Sequence, residues 1–135
     1  MKLSILMMIK NESKHLEKCL MSLKPIQAAI ETEIIIVDTG SEDNSVEIAK
    51  RYTDKVYYHQ WNNDFAAMRN ITISYAKGEW IFVLDGDEVI EKPEEFINFF
   101  KNNNSDRYNT VFIKLKNFTT ELETRFGIGY IPRIF

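Results

Sequence analysis

The stretch IFVLDGDEVI, residues 81–90, runs four apolar residues into an acidic turn, Asp85-Gly86-Asp87, with Glu88 directly behind it. An apolar run of this length reads as a strand buried on both faces. Carboxylates crowded at the end of such a strand repel one another unless a positive charge sits among them. A divalent cation is the simplest such charge, and hard carboxylate oxygens suit magnesium, manganese or calcium rather than zinc or copper. Side chains two apart on an extended segment project to one face, so Asp85 and Asp87 are expected to address one ligand together. Gly86 lets the backbone bend or a ligand approach closely. A loop of acids capping the next helix is the plainer reading of a bare D-x-D.

The segments before this strand repeat one pattern. Leu3 to Ile9 is apolar and strand-length, ends in Lys10-Asn11-Glu12-Ser13, and leads into Leu16, Cys19, Leu20 and Leu23 at helical spacing. Ser13 is the expected N-cap of that helix and Pro25 its stop. Glu33 to Val37 is a second buried-type strand ending in Asp38-Thr39-Gly40-Ser41, followed by a helix with Val46, Ile48, Ala49 and Tyr52 on one side. Lys55 to His59 reads as a third strand. Asp64 is placed to cap a helix from Phe65 to about Ala76, and Trp80 to Leu84 is the fourth strand. Pro93 suits the first turn of a helix reaching Phe100. Asn102 to Ser105 reads as a loop, and Tyr108 to Phe118 alternates as a partly exposed antiparallel strand does.

Alternating β and α segments predict an α/β domain, a mostly parallel sheet with helices on both faces. Ligands in such sheets sit beyond the carboxyl ends of the strands. Asn11-Glu12, Asp38 and Asp85/Asp87 all stand at such ends, so three separate segments are expected to converge on one edge. At 135 residues the chain holds one domain, residues 1–135, without room for two cores. Hydrophobic residues make up 44% and charged residues 27%, as in ordinary globular proteins. A net charge of -3 argues against a nucleic-acid partner. The single cysteine, Cys19, excludes an internal disulfide and fits a reducing compartment. Neither a signal peptide nor an 18-residue apolar window is present, so a cytoplasmic location is expected, with association at the inner face of the membrane open.

Two readings stand at each further position. Asp38 can accept hydrogen bonds from a base or from sugar hydroxyls, or it can form an Asx-turn with the residues after it. Arg69, near a helix start, suits a diphosphate; the plainer reading pairs it with Asp64 or Glu79 on the surface. Trp61 could stack on a base or sugar, though an aromatic before a helix more often packs. His15 and His59 lack metal-ligand spacing, and Cys19 falls on an apolar stripe.

In this order the segments resemble the nucleotide-binding part of the family 2 inverting glycosyltransferases of the GT-A fold, a Rossmann-like architecture. The resemblance is carried by LSILMMIKNES, EIIIVDTGSEDNS and AAMRNITISYAKGEWIFVLDGDE, in order between residues 3 and 88, about two-thirds of the chain. WNNDFAAMRN is similar to a bacterial branch that modifies lipopolysaccharide cores or peptides. The resemblance implies that Ile9, Asn11 and Glu12 line the base and ribose of a nucleoside diphosphate, usually UDP, and that Asp38 contacts the base. Arg69 would meet the base or diphosphate. Asp85 would meet the ribose or the metal, and Asp87 would ligate Mn2+ or Mg2+ directly. A sugar would pass from its nucleotide to a glycan, lipid-linked or peptide acceptor with inversion. Thr39 stands where many relatives have a second aspartate, and Met8 where many have proline.

An inverting enzyme also needs a general base. Asp106, Glu121 and Glu123 are available after Asp87, none in a recognisable base motif. The chain is therefore expected to be the donor-binding part of a longer protein, incomplete at its C-terminus and with its base outside it. Three alternatives remain at this level. One is a domain that binds sugar nucleotides without turnover. Another is a phosphatase of the haloacid dehalogenase type, in which Asp85 would be the nucleophile. The third, a nucleotidyltransferase, lacks its glycine-rich loop here. A homo-oligomer is a further expectation, if the 108–118 strand lies at a sheet edge.

Overall fold

A computed structural model describes residues 2–102, 110–117 and 123–130. Seven strands form one sheet. Four come from the first half of the chain: β1 (Leu3–Ile9), β2 (Thr32–Asp38), β3 (Val56–Tyr58) and β4 (Trp80–Val83). They are mutually parallel, with β1 between β2 and β4, and β3 outside β2. The second half adds β5 (Glu88–Val89), β6 (Thr110–Asn117) and β7 (Glu123–Tyr130), giving the order β3-β2-β1-β4-β7-β6-β5. These three join antiparallel, β7 against β4 and β6 against β7 and β5. The predicted antiparallel strand is therefore present as β6, but it lies inside the sheet. The sheet order ends in β3 and β5, and β5 pairs with β6 only at Lys116 and Asn117.

Among the described residues five helices connect the strands: α1 (Leu16–Ser22), α2 (Lys24–Ala29), α3 (Ser45–Lys50), α4 (Phe65–Ser74) and α5 (Pro93–Lys101). Alternation along the strands sorts them onto two faces. Leu3, Ile5, Met7 and Ile9 of β1, with Ile34 and Ile36 of β2 and Trp80 and Phe82 of β4, share one core with residues of α1, α2, α3 and α5. Leu6 and Ile35 face the other way, into a smaller cluster with Ala76 and with Ile73 of α4. Trp80 meets Phe99 and Phe100 edge-on, and Phe82 packs on Phe96, fastening α5 over β4. Among the described residues no helix is long and apolar enough to cross a membrane.

Two local readings are corrected. The first helical segment is two helices: Leu23 ends α1 and caps α2, and Pro25 occupies the first turn of α2. A proline starts a helix as readily as it stops one, because the first turn has no use for its missing N–H. Ser13 does not cap α1; its N–H donates to Asp43 Oδ2 at 3.2 Å. Asp64 does cap α4, accepting from Ala67 N–H at 3.0 Å.

The edge of the sheet opposite the strand carboxyl ends is fastened by a buried polar knot. Glu33, 5% exposed, accepts from Ser4 Oγ, Lys55 Nζ and the Lys77 N–H, and Ser4 Oγ accepts in turn from the Gly78 N–H. These bonds hold the Glu33 carboxyl below its ordinary range although burial acts the other way. They also draw the segment after α4 so close to β1 that a Cβ at Gly78 would stand 2.5 Å from Ser4 N and 2.7 Å from the Leu3 carbonyl carbon. Backbone cannot yield as a side chain can, so Gly78→Ala is expected to destabilise the domain by about 1–3 kcal/mol. A fall in the urea midpoint at unchanged slope would register it. Asp64→Ala should cost about 1 kcal/mol through the lost cap.

Candidate active site

At the carboxyl end of β1 the chain turns through Asn11, whose φ of 52° lies in the left-handed region. Asparagine tolerates that conformation better than most residues do. The turn is bonded to the loop after β2 at successive positions. Asn11 N–H donates to Ser41 Oγ at 2.9 Å, while Asn11 Oδ1 accepts from Glu42 N–H at 2.8 Å. Glu12 N–H donates to Ser45 Oγ at 2.8 Å. Thr39 N–H and Oγ1 both donate to the Ile9 carbonyl, at 3.0 and 3.1 Å. Asp43 accepts from Ser45 N–H and Oγ as well as Ser13 N–H, and its carboxyl is lowered to about 2, chiefly by the Ser45 hydroxyl bond. The two loops therefore move as one.

Within this frame Asp38 is buried, and its carboxylate accepts from the N–H groups of Gly40 and Ser41 at 3.2–3.3 Å. The Asx-turn is thus present. Ile9 is 1% exposed and belongs to the core. Asn11 is exposed and Glu12 half-buried.

The acidic segment is a turn rather than the extended run that its sequence spacing suggests, closed by the Glu88 N–H donating to the Asp85 carbonyl at 3.1 Å. Even so, exposure alternates from residue 81 to residue 90: Phe82, Leu84, Gly86, Glu88 and Ile90 are buried, and Asp85 and Asp87 are not. Oxygens of Asp85, Asp87 and Glu88 lie within 4.8 Å of one another, close enough to hold one cation. Glu12 packs over this turn, and a Cβ on Gly86 would meet Glu12 Cγ at 3.1 Å. Burial, then the charges of Asp87, Asp85 and Asp43, push the Glu12 carboxyl up to about 7. Such a concentration of acid is the environment that a divalent cation relieves, so the residues present fit a metal.

Arg69 supplies the opposite charge. It pairs with neither Asp64 nor Glu79, because Asp64 caps α4 and Glu79 binds Lys2 Nζ at 3.1 Å. Its guanidinium lies over the Phe65 ring, 5.2 Å from the centroid, and its buried Nη1 has no hydrogen-bond partner among the described residues. Burial lowers its pKa and the nearby Asp85 charge raises it. A desolvated donor left unmatched is costly, which makes this guanidinium a place for an anion. Trp61 and Phe65 meet edge-on and stay 37% and 58% exposed, so Trp61 does not pack into the core.

The structure thus brings Glu12 within electrostatic reach of Asp85 and Asp87, and Arg69 within reach of Asp85. It adds Glu88, whose adjacency in DGDE was the available signal but whose burial was not. Asp106 and Glu121 lie outside the described residues, and Glu123 opens β7.

A family model, glycosyl transferase family 2, matches residues 4–132, and the chain belongs to that family. Among its relatives is the SPbeta prophage-derived glycosyltransferase SunS of Bacillus subtilis, 40% identical over 89 residues, covering 64% of this chain and 20% of that protein. An uncharacterised glycosyltransferase of Rickettsia bellii is 32% identical over 116 residues, covering 84% of this chain and 38% of its own length. The chain thus spans between a fifth and two-fifths of the length of these relatives. Among solved structures, residues 1–349 of Staphylococcus aureus TarS in complex with UDP-GlcNAc superimpose with a TM-score of 0.67 at 25% identity, over 84% of this chain and 34% of that one. The GT-A fold is that of these neighbours, and family membership sets aside the phosphatase and nucleotidyltransferase readings.

Glu12 carries a pH signature. The folded protein keeps its proton up to about pH 7, whereas the unfolded chain releases it near the ordinary value of 4.5. Its raised pKa therefore favours the fold at low pH, and that contribution is lost as pH rises from about 4.5 to about 7. Glu12→Gln should flatten this part of the profile, measured as urea midpoints of both proteins across the interval.

Proposed function

We propose that the chain is the donor-binding part of a metal-dependent glycosyltransferase that moves a sugar from a nucleoside diphosphate, UDP, to an acceptor with inversion. One observation carries the reading: Asp85, Asp87 and Glu88 bring carboxylate oxygens within 4.8 Å of one another, and Asp85 stands within electrostatic reach of a guanidinium whose buried Nη1 is unmatched. A cation and a diphosphate satisfy both at once, and neither alone does. The TarS complex with UDP-GlcNAc supports uridine as the base.

In this reading Asp87 and Asp85 hold Mn2+ or Mg2+, and Arg69 donates to the diphosphate. Asn11 and Glu12 border the ribose and base. Asp38 contacts the base from a carboxylate already oriented by Gly40 and Ser41, while Ile9 acts by setting the height of the β1 turn. The bound cation offsets the negative charge that gathers on the departing nucleoside diphosphate. The chemistry is a single displacement: a nucleophilic acceptor atom bonds to the anomeric carbon as the bond to the diphosphate oxygen breaks. A base takes the acceptor proton. That base and the acceptor site, for a glycan, lipid-linked or peptide acceptor, belong to chain beyond the described residues. A cytoplasmic location, at the inner membrane face for a lipid-linked acceptor, goes with the same proposal and rests on the lone, buried cysteine.

Calorimetric titration of UDP tests the reading. Binding should require Mn2+, vanish with chelator, and weaken by roughly 100-fold or more in Asp87→Ala, a loss of about 3 kcal/mol. Arg69→Ala should weaken UDP by at least about tenfold without weakening Mn2+ uptake, since it removes a charge-assisted bond to the anion and a positive charge near Asp85. Metal-independent UDP binding, or none by a folded protein, would overturn the assignment.

A further inference from the structure

We propose that Glu88 is the positioning residue of the metal-binding turn: from beneath, its carboxylate holds the Asp85 amide and so fixes how Asp85 and Asp87 are presented. The inference rests on the donor-site reading above and adds a residue to it.

Glu88 is an acid with no solvent exposure, set directly under two acids that have it. Its Oε1 accepts from the Asp85 N–H at 3.1 Å, and its own N–H donates to the Asp85 carbonyl at 3.1 Å. The turn is therefore closed twice between the same two residues, once by backbone and once by side chain. Cys19 Sγ donates to the same carbonyl at 3.5 Å, and Ser22 Oγ accepts from the Ile90 N–H at 3.3 Å, so α1 braces the segment on both sides of Glu88. Glu12 packs over Gly86 from above. Rotation of the Asp85 peptide would break the bond to Oε1 and swing the Asp85 carboxylate away from that of Asp87.

A direct ligand would serve otherwise. A cation that also meets a diphosphate must be reached from the open side, where Asp85 and Asp87 stand, whereas Glu88 is fully covered and has one oxygen engaged with backbone. Residues behind a metal's ligands set ligand orientation, and losing one typically weakens metal binding by about 10–100-fold. Charge and hydrogen bond can be separated here. Glu88→Gln keeps an acceptor oxygen at the same reach and loses the charge; Glu88→Asp keeps the charge and falls one methylene short of the Asp85 N–H.

The experiment titrates Mn2+ alone into wild type, Glu88→Gln, Glu88→Asp and Glu88→Ala, following free Mn2+ by electron paramagnetic resonance. Hydrogen exchange of the Asp85 amide is measured on the same metal-free samples. Positioning predicts that Glu88→Gln binds within about threefold of wild type with the Asp85 amide still protected. Glu88→Asp and Glu88→Ala should bind about 10–100-fold more weakly, with faster exchange at Asp85. Should the alanine variant not fold, the order of the other two decides. The opposite order, Asp near wild type and Gln weak, would overturn the proposal in favour of a charge or ligand role. Equal affinity in all four would overturn it outright. A folded wild type that takes up no Mn2+ would bring down the donor-site reading itself, an outcome distinct from either of these.

Discussion

Mutual repulsion among the carboxylates at the ends of β1 and β4 is the constraint around which the rest of this domain is arranged. Glu12 arrives from one strand end, and Asp85, Asp87 and Glu88 from another that is three strands later in the chain but adjacent in the sheet. Charges of one sign this close would spread apart if their backbones were free. They are held by a network of local bonds: the paired loops after β1 and β2 fix Glu12, and a turn closed by the Glu88 N–H and carboxylate and braced by α1 fixes the others. Burial first, and then these neighbouring charges, raise the Glu12 carboxyl, and a cation would relieve the charge part.

The parallel half of the sheet provides the stiffness that this needs. Residues 3–9, 34–37 and 80–82 are almost wholly buried, and the Glu33 knot locks the far edge, so strain at the acidic edge is not relieved by strand movement. Stability and function are thereby concentrated at opposite edges. Close packing of Gly78 on β1 belongs to the first, and close packing of Gly86 under Glu12 to the second.

Much of this was legible in the chain itself. Buried-type runs at Leu3–Ile9 and Glu33–Val37, each ending in polar residues, announced the strands and their order, and Asp64 before Phe65 announced a capped helix. The misreadings have identifiable physical causes. Pro25 is compatible with a helix start or a helix stop, and local sequence does not distinguish them. Ser13 resembled a cap, yet α1 begins only at Leu16 with His15 at its N-cap position, and Ser13 is drawn instead to Asp43, thirty residues away. The alternation of residues 108–118 correctly indicated an antiparallel strand but carried no information about its neighbours, which come from two separate segments.

The candidate site divides in the same way. Composition and spacing determined by themselves that acids stand at three strand ends, with Asp85 and Asp87 at the same one, because strand polarity and residue type are local properties. Tertiary structure decided the rest: that Asp38 is engaged in its own turn, that Arg69 loses its surface partners to Ala67 and Lys2 and keeps an unmatched donor, and that Glu88 is buried where Asp85 and Asp87 are not. Burial and pairing depend on which distant segments arrive alongside, and through-space charge falls off with distance in space rather than along the chain.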